Sequence, residues 1–360
     1  MIPGRADRLR CHTAALTKDH QMKPLLLKAA FSICILSLLL LPDQAVGGEL
    51  GLAFWNVENL FDTVDDPKTE GDEEFTPGEP KAWTETRLEL KLTNLARVIG
   101  DMNSGHGPDV LGLCEIENRA VLELLVKQLD KTGRKYEIVH EDSPSYRGID
   151  CALLYDSKTV KLDRSQIHTV KKFVTRDILE ARFTSGDKSF FVFVNHWPSR
   201  RNPDANRIEV ATILRKRVDQ LLKSNAAVDI AILGDLNDTP ANVSVSKTLR
   251  TWGNPDELRP GVLFNSMWKY HQNGDTGTYV YKNKWDVLDH IILSPGMLDG
   301  VGVDWVKDST RRVMADYQMF DSDTPGSIPR PSRSYLGPRF FGNGYSDHLP
   351  VECRLRVSAE

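Results

Sequence analysis

Cysteine is scarce in this sequence, and its placement limits the kinds of site that it can build. Five of the 360 residues are cysteines, and Cys114, Cys151 and Cys353 are the ones that follow the N-terminal region. Their wide spacing is not that of metal ligands, which argues against a structural zinc site. All three lie in apolar, strand-like contexts and are predicted to be buried core residues, with pairing of two of them in an oxidising compartment as the alternative.

The sequence also lacks a surplus of positive charge. Its 46 Lys and Arg residues are outnumbered by 50 Asp and Glu residues, which gives a formal net charge of −4 at pH 7. A chain this acidic does not hold polyanions by bulk charge. Any contact with nucleic acid must therefore be local or assisted by a metal ion.

A long apolar run occurs only near the N-terminus, where residues 29–41 read AAFSICILSLLLL. Lys23 and Lys28 precede this run, and the small residues Ala45 and Gly47 follow it in the pattern of a cleavage site. The run is short for a membrane span. We therefore predict a secretory signal peptide, export to the periplasm or the extracellular space, and no stable membrane insertion after cleavage. An uncleaved N-terminal anchor is the alternative.

These features divide the chain into a signal peptide over residues 1–47 and a single domain over residues 48–360. The signal pattern starts at Met22, which suggests that the true start is there and that residues 1–21 are a mis-assigned extension. The remaining sequence has no internal repeat and no linker that would divide it, and 40% apolar content over this length allows a sizeable core. We expect a monomer.

Short apolar segments alternate with amphipathic helices along the domain, which favours an α/β fold of packed sheets covered by helices. Several segments are apolar at every position, so both of their faces should be covered. Strands are predicted at residues 50–57, 109–116, 136–140, 149–156, 189–197, 229–235, 287–294 and 350–357. Helices are predicted after a capping box at Thr86 and Glu89, over residues 118–129, and over residues 204–222. The turn-rich stretches 62–83 and 321–344 are predicted to be solvated loops, the second with a plausible role in contacting substrate.

Polar and ionisable residues recur at the ends of these apolar segments. Burying so many such groups separately would cost several kcal/mol each, whereas a shared cavity with a cation would reduce the cost. They are Asn56, Glu58, Glu115, Glu117, Asp150, Asn195, His196, Asp235, Asn237, Asp289, Asp347 and His348.

The residue types in this set indicate phosphate ester hydrolysis. Carboxylate and amide oxygens without cysteine suit Mg²⁺, with Mn²⁺ or Ca²⁺ also suitable. Histidines with carboxylate partners suit an imidazolium that stabilises a phosphoryl group, and Asp235 with Asn237 suits the activation of a water molecule. No P-loop, dinucleotide fingerprint or nucleophilic serine motif offers a competing chemistry.

The motifs "WNVEN", "GDLN" and "SDH" follow one another in the order found in the endonuclease/exonuclease/phosphatase superfamily, which the sequence resembles over about residues 50–357. This resemblance implies a deoxyribonuclease I-like fold: a four-layer sandwich of two packed, mixed β-sheets flanked by helices, with one active site at the end of the sandwich. It also implies a metal-dependent phosphoesterase.

The resemblance assigns roles to individual positions. Glu115, Asn56, Asp347 and Glu58 match the metal site. Asp235 matches the residue that orients or deprotonates water, and Asn237 matches its supporting amide. His196 and His348 match phosphate-binding histidines, with Asp289 as the partner of His348 and Asp150 as the partner of His196. Arg147 is expected either to contact phosphate or to form a surface salt bridge.

The expected substrate is nucleic acid, cleaved by an exported endonuclease through in-line attack of water. Export, the Arg-rich and aromatic stretch 321–344, and "HWPSRR" at residues 196–201 favour this substrate, because aromatic and Arg side chains bind bases and phosphates. A phospholipid or inositol-phosphate phosphoesterase resembling sphingomyelinase is the first alternative, and a non-catalytic binding module is the second. A binding module should have lost motif residues, and none of them is lost.

Overall fold

The apolar segments form two seven-stranded β-sheets in the computed structural model, which describes residues 48–67, 69–274, 276–321 and 324–359. The predicted signal peptide and Met22 lie outside the described residues. The strands are β1 (Glu49–Leu60), β2 (Val110–Ile116), β3 (Tyr136–His140), β4 (Asp150–Asp156), β5 (Lys161–His168), β6 (Ile178–Ser185), β7 (Lys188–His196), β8 (Ile230–Asp235), β9 (Thr251–Trp252), β10 (Leu263–Asn265), β11 (Tyr279–Tyr281), β12 (Lys284–Asp286), β13 (Asp289–Leu293), β14 (Val303–Trp305), β15 (Arg311–Arg312), β16 (Met319–Phe320), β17 (Arg330–Pro331), β18 (Tyr335–Leu336), β19 (Arg339–Phe340) and β20 (Val351–Val357).

Both large sheets are mixed. The first has the order β14-β20-β1-β2-β4-β3, with β15 also pairing with β20, and its parallel pair is β1 with β2. The second has the order β5-β6-β7-β8-β13-β10-β9, with β7 parallel to β8 and β9 parallel to β10. The short strands β11–β12, β16–β17 and β18–β19 form separate hairpins.

The helices are α1 (Glu85–Gly105), α2 (Arg119–Leu129), α3 (Asp204–Ser224) and the short α4 (Trp268–Asn273). Helix α1 begins after Thr84, which is its N-cap, so the capping box predicted at Thr86 and Glu89 is wrong. Met102, Asn103 and Ser104 leave helical dihedral angles, so regular helix ends before them. The three long helices correspond to the three that the sequence predicts.

Strand alternation divides the apolar side chains among three clusters. On β1, Leu52 and Phe54 join the cluster between the sheets, whereas Ala53 and Trp55 join the cluster under α1 and α2. A third cluster packs α3 against the outer face of the second sheet. Helices, sheet, sheet and helix therefore form the expected four layers, and the α/β sandwich is confirmed.

All eight predicted strands are present to within a few residues, but β5, β6 and the short strands were not predicted. Strand β5 is mostly exposed at a sheet edge and carries the polar sequence KLDRSQIH, so it has no apolar pattern. The cysteines Cys114, Cys151 and Cys353 are buried and unpaired, as expected.

The two predicted loops are not simply solvated. Phe75 and Trp83 of the stretch 62–83 are buried. They pack edge-on and tilted against Tyr335 of the stretch 321–344, with ring centroids 6.2 and 5.6 Å away. The second stretch also contains the hairpin β18–β19 and, in part, β16–β17. The two excursions therefore contribute to the core under α1.

The described residues, from 48 to 359, belong to one compact unit. Among the described residues, no helix combines the length and the apolar character that crossing a membrane requires.

Candidate active site

Strand alternation and register bring the predicted site residues to one end of the sandwich. On the second sheet, Asp235 pairs with both His196 and Asp289 across neighbouring strands. These three positions have the same parity as residues whose side chains enter the inter-sheet cluster, such as Val194, Leu233 and Ile291. On the first sheet, Asn56 has the same parity as Phe54, whose side chain also enters the inter-sheet cluster. The side chains therefore face one another across the sandwich.

Glu115 reaches this site through a backbone irregularity. Regular alternation would turn it outward, with Leu111 and Leu113, which pack under the helices. However, Glu115 has φ of 63°, and the pairing of β2 with β4 shifts register between Cys114 and Ile116. Such a bulge redirects a side chain. Its carboxylate consequently faces His196 and Asn56, with Oε1 3.9 Å from His196 Nε2.

Asp235 is the centre of the cluster. Its Oδ2 accepts a hydrogen bond from Asn56 Nδ2 at 3.0 Å, and its Oδ1 accepts one from the backbone N–H of Asn237 at 2.9 Å. The same Oδ2 lies 3.7 Å from His196 Nε2 and 3.8 Å from His348 Nε2. Burial, together with Asp289, raises the pKa of Asp235 to about 7. A carboxyl group with that pKa can take up a proton near neutral pH.

His348 forms the predicted pair with Asp289. Its Nδ1 lies 2.8 Å from Asp289 Oδ2, and the Asp289 side chain is fully buried. Burial lowers the pKa of His348, but Asp289 and Asp235 more than compensate, so the pKa is raised well above its usual value. The backbone N–H of His348 donates to Ser346 Oγ at 3.1 Å. This histidine is therefore cationic at neutral pH.

His196 differs from the expectation that both histidines would be imidazolium groups. Burial, followed by the charges of Arg176 and Arg147, lowers the pKa of His196 well below its usual value. Its Nδ1 is buried without a hydrogen-bond partner. His196 is therefore neutral at neutral pH, and one imidazole of the site is neutral while the other is charged.

Asp150 does not partner His196, so that prediction is wrong. By parity Asp150 shares a face with Ala152 and Leu154, which pack under the helices rather than between the sheets. Its Oδ1 accepts from the backbone N–H of Ser143 at 3.0 Å and from the Ser143 hydroxyl. Its Oδ2 lies 3.7 Å from His140 Nε2.

Asn56 and Asn237 support Asp235, although Asn56 does not present oxygen as a metal ligand would. Asn56 Oδ1 accepts from the backbone N–H of Glu58 at 3.0 Å, and its Nδ2 points at Asp235 and, at 3.5 Å, at Glu115. Asn237 has φ of 50° and donates from Nδ2 to the Trp197 carbonyl at 3.0 Å. The two amides thus position the Asp235 carboxylate.

Glu58 and Asp347 form a neighbouring group. Glu58 Oε2 accepts from the backbone N–H of Ser334 at 2.5 Å and lies 4.0 Å from Lys91 Nζ. Burial and the charge of Asp347 raise the pKa of Glu58 to about 8. Asp347 lies 3.4 Å from Arg333 Nη2. The Glu58 carboxylate therefore interacts with Ser334 and Lys91. This geometry does not support the prediction that Glu58 binds a metal ion beside Glu115.

Several residues of the site carry no sequence motif. Arg176 donates to the Trp197 carbonyl at 2.9 Å and lowers the pKa of both His196 and Glu115. The Tyr279 ring lies against His348, with centroids 4.7 Å apart. Buried Lys91 on α1 donates to Ser334 Oγ and the Tyr345 carbonyl. Each comes from a segment distant in sequence, and only the three-dimensional fold brings it to the site.

Asp238, Glu117 and His290 make hydrogen bonds and ion pairs away from Asp235. Asp238 is buried, with Oδ1 2.9 Å from Arg207 Nε and Oδ2 bonded to Ser244 Oγ. Glu117 Oε2 accepts from the backbone N–H of Asp62, and His290 lies between Asn265 and the Asp238 carbonyl.

Glu115 is the residue that fits a divalent cation best. Its side chain is slightly exposed, and its Oε2 accepts a hydrogen bond from the Asn59 backbone N–H at 2.9 Å. Burial raises its pKa, but Arg147, His348 and Arg176 hold the pKa below its usual value, so it is ionised. Asp235, Asp289 and His348 also lie within 4.8 Å of one another. However, a cationic His348 has no free lone pair for a metal, so that group suits proton and charge transfer instead.

The fold and this cluster define a phosphoesterase scaffold, and comparison with known proteins identifies its family. The chain belongs to the Endonuclease/Exonuclease/phosphatase family, whose sequence profile matches residues 51–357. Members of this superfamily are metal-dependent phosphoesterases. No curated protein sequence matches the chain.

Solved structures of the superfamily have the same fold. An endonuclease/exonuclease/phosphatase family protein from Bacteroides thetaiotaomicron is 17% identical, with a TM-score of 0.52, covering 87% of this chain and 100% of its own. D. rerio TDP2 in complex with single strand DNA product is 17% identical, with a TM-score of 0.51 and coverage of 86% and 100%. The human Nocturnin catalytic domain is 16% identical, with a TM-score of 0.51 and coverage of 86% and 94%.

Proposed function

We propose that this protein is an exported, divalent-cation-dependent phosphodiesterase that cleaves nucleic acid. The observation that carries the catalytic part is the placement of Asp235 Oδ2 between His196 Nε2 and His348 Nε2, at 3.7 and 3.8 Å. A base flanked by two imidazoles is suited to in-line attack of water on a phosphate whose oxygens the imidazoles contact. Export is argued from the apolar run at residues 29–41, and Mg²⁺ is the cation that the oxygen donors favour.

Asp235 would align the attacking water and accept its proton. Its pKa of about 7 allows this at neutral pH. Asn56 Nδ2 and the Asn237 backbone N–H fix the carboxylate plane, because they bond to different oxygens. The attack then needs little reorganisation of the protein.

His348 and His196 would contact non-bridging phosphate oxygens in different ways. His348, held by Asp289, would offer a charged N–H to the developing negative charge. His196 would offer a neutral N–H, and its tautomer is not fixed by any partner of Nδ1. A divalent cation at Glu115 would supply charge neutralisation of the phosphate and the leaving oxygen.

The nucleic-acid part rests on a surface beside His348. The hairpin β11–β12 carries Tyr279, which packs on His348, and Tyr281, which is exposed on the same strand. The Arg200 guanidinium lies 5.6 Å from the Tyr281 ring centroid and 2.8 Å from Asp286. Aromatic rings stack on bases and Arg binds phosphates, and this combination is typical of single-strand binding surfaces.

The experiment compares supercoiled plasmid, sphingomyelin vesicles and bis(p-nitrophenyl) phosphate, each with Mg²⁺ or with EDTA. We expect Mg²⁺-dependent nicking of plasmid and cleavage of the chromogenic diester, both abolished by EDTA. Release of the sphingomyelin head group without plasmid nicking would contradict the nucleic-acid part and favour a phospholipid substrate. Absence of all three activities in folded protein would contradict the catalytic part and favour a binding module.

A further inference from the structure

A second group of ionisable side chains lies on the opposite face of the first sheet from the active-site cluster. His140 ends β3 and pairs with Ala152 of β4, so Asp150 is its diagonal neighbour on the same face. His140 Nε2 lies 3.7 Å from Asp150 Oδ2, and His140 Nδ1 lies 3.9 Å from Asp142 Oδ1. The sheet register thus fixes two of the three side chains.

The unpaired ring nitrogen of His140, Nε2, is the feature that indicates a ligand site. The His140 side chain is 3% exposed and that of Asp150 is 4% exposed. His140 Nε2 is buried and has no hydrogen-bond partner, although it faces a carboxylate oxygen. A buried polar atom without a hydrogen-bond partner is unfavourable, because it has lost water without gaining a replacement.

Asp150 is already positioned to act as a ligand. Both the backbone N–H and the hydroxyl of Ser143 donate to its Oδ1, which leaves Oδ2 directed at His140. Hydrogen bonds that orient a ligating carboxylate in this way are characteristic of metal sites. The Asp142 side chain is 86% exposed, so its carboxylate can move toward the ring nitrogen that faces Asp150.

We propose that His140, Asp142 and Asp150 bind a zinc ion. One imidazole nitrogen and two carboxylate oxygens, each within 4.8 Å of the others, match a three-ligand zinc site with water in the fourth position. Ligands of tetrahedral zinc are about 3.4 Å apart, given metal–ligand bonds of about 2.0–2.1 Å, so closure requires a movement of about 1 Å by the exposed Asp142. An imidazole ligand disfavours Mg²⁺ and Ca²⁺. Cysteine spacing excludes only a zinc site built from cysteines, and this site contains no cysteine.

Zinc at this position would close the base of the loop formed by residues 141–149. That loop carries Arg147, whose Nη1 lies 3.8 Å from Glu115 Oε1 and whose Nη2 bonds to Asn59 Oδ1. By fixing this loop, the ion would stabilise the position of Arg147 beside Glu115, although the ion itself lies outside the active site. The proposal does not depend on the reaction that the active site catalyses.

The test is calorimetric titration with ZnCl₂ of the full chain in a Glu115→Gln background, which removes the cation ligand of the active site. Asp142→Asn removes an exposed ligand without disturbing the core, and Glu141→Gln removes an equal charge from the adjacent exposed position. We expect one zinc ion to bind with an affinity that Asp142→Asn lowers at least tenfold and Glu141→Gln leaves unchanged. Equal affinity in all three proteins, or an equal loss in both variants, would overturn the proposal.

Hydrogen exchange provides a second measurement on the same proteins. We expect ZnCl₂ to slow amide exchange in residues 141–149 of the Glu141→Gln protein and to have no such effect in the Asp142→Asn protein. Exchange that zinc does not alter in either protein would overturn the assignment of this loop to the ion. So would the same protection from MgCl₂ or CaCl₂ at equal concentration.

Discussion

The pair formed by Asp289 and His348 allows a quantitative prediction. Asp289→Asn removes a fully buried negative charge 2.8 Å from His348 Nδ1 and nearly preserves the shape of the side chain. A hydrogen bond to a charged group contributes about 1.5–3 kcal/mol, and its loss removes that much stabilisation from the imidazolium. If His348 contacts the phosphate as a cation, kcat/KM should fall about 10- to 150-fold, since each 1.36 kcal/mol is a tenfold change in rate.

The assay is Mg²⁺-dependent hydrolysis of bis(p-nitrophenyl) phosphate at pH 7.5, with thermal unfolding to verify that the variant folds. Asp256→Asn is the control, because it removes one carboxylate from an exposed position, where the distance to its ion-pair partner Lys307 is 3.8 Å. We expect the control to match the unaltered protein. A folded Asp289→Asn protein within twofold of the unaltered kcat/KM would refute the assignment of His348 as a charged phosphate contact.

Two further predictions concern the substrate surface and the stability of the second sheet. Arg200→Ala should weaken binding of single-stranded DNA severalfold and leave chromogenic diester hydrolysis unchanged, whereas the adjacent exposed Arg201→Ala should leave both unchanged; equal DNA binding in both variants would contradict the proposed surface. Buried Glu180 bonds to His168 at 2.6 Å and to Arg217 at 2.7 Å, and although burial opposes it, these partners lower the pKa of Glu180 to about 2. Because the folded-state pKa is depressed, this stabilisation is complete above about pH 5 and is lost as pH falls toward 2. In urea unfolding, Glu180→Gln should therefore lose stability relative to the unaltered protein at pH 7 and approach it at pH 3; a difference independent of pH would contradict the ionic contribution.

The sequence predicted the large elements because their apolar residues recur with clear periods. Strands β1, β2, β7 and β8 are buried on both faces, and their continuous apolar runs are unambiguous. Strand β5 could not be found in this way, because an exposed edge strand has no apolar face to reveal its period. The interaction of Trp83 with Tyr335 was also not predictable, since no local pattern links positions so far apart.

The predicted site residues come together where a motif coincides with strand parity. His196, Asp235 and Asp289 share the parity of inward-facing residues, and all three face the cluster. The error at Asp150 has the same physical basis, because its parity with Ala152 turns it to the outer face. Glu115 is the opposite case. Parity would have excluded it, and only the left-handed backbone at a bulge brings it inward.

Neither motifs nor strand parity could predict the residues that change the pKa values within the site. Arg176 and Lys91 change the charge balance around His196 and Glu58, but neither belongs to a recognisable motif. Their contacts depend on the packing of a loop and a helix against the sheet end. Which histidine is charged is likewise set by three-dimensional surroundings: a buried carboxylate beside His348, and two guanidinium groups around His196.

The most direct test of the central claim is the rate of bis(p-nitrophenyl) phosphate hydrolysis by Asp235→Asn with saturating Mg²⁺. Asparagine preserves the size of the side chain but cannot accept a proton from water. We predict a fall in kcat of about 10²- to 10⁴-fold, the usual contribution of a positioned general base, with unfolding temperature and Mg²⁺ binding little changed. A folded Asp235→Asn protein that turns over at the rate of the unaltered protein would contradict the account.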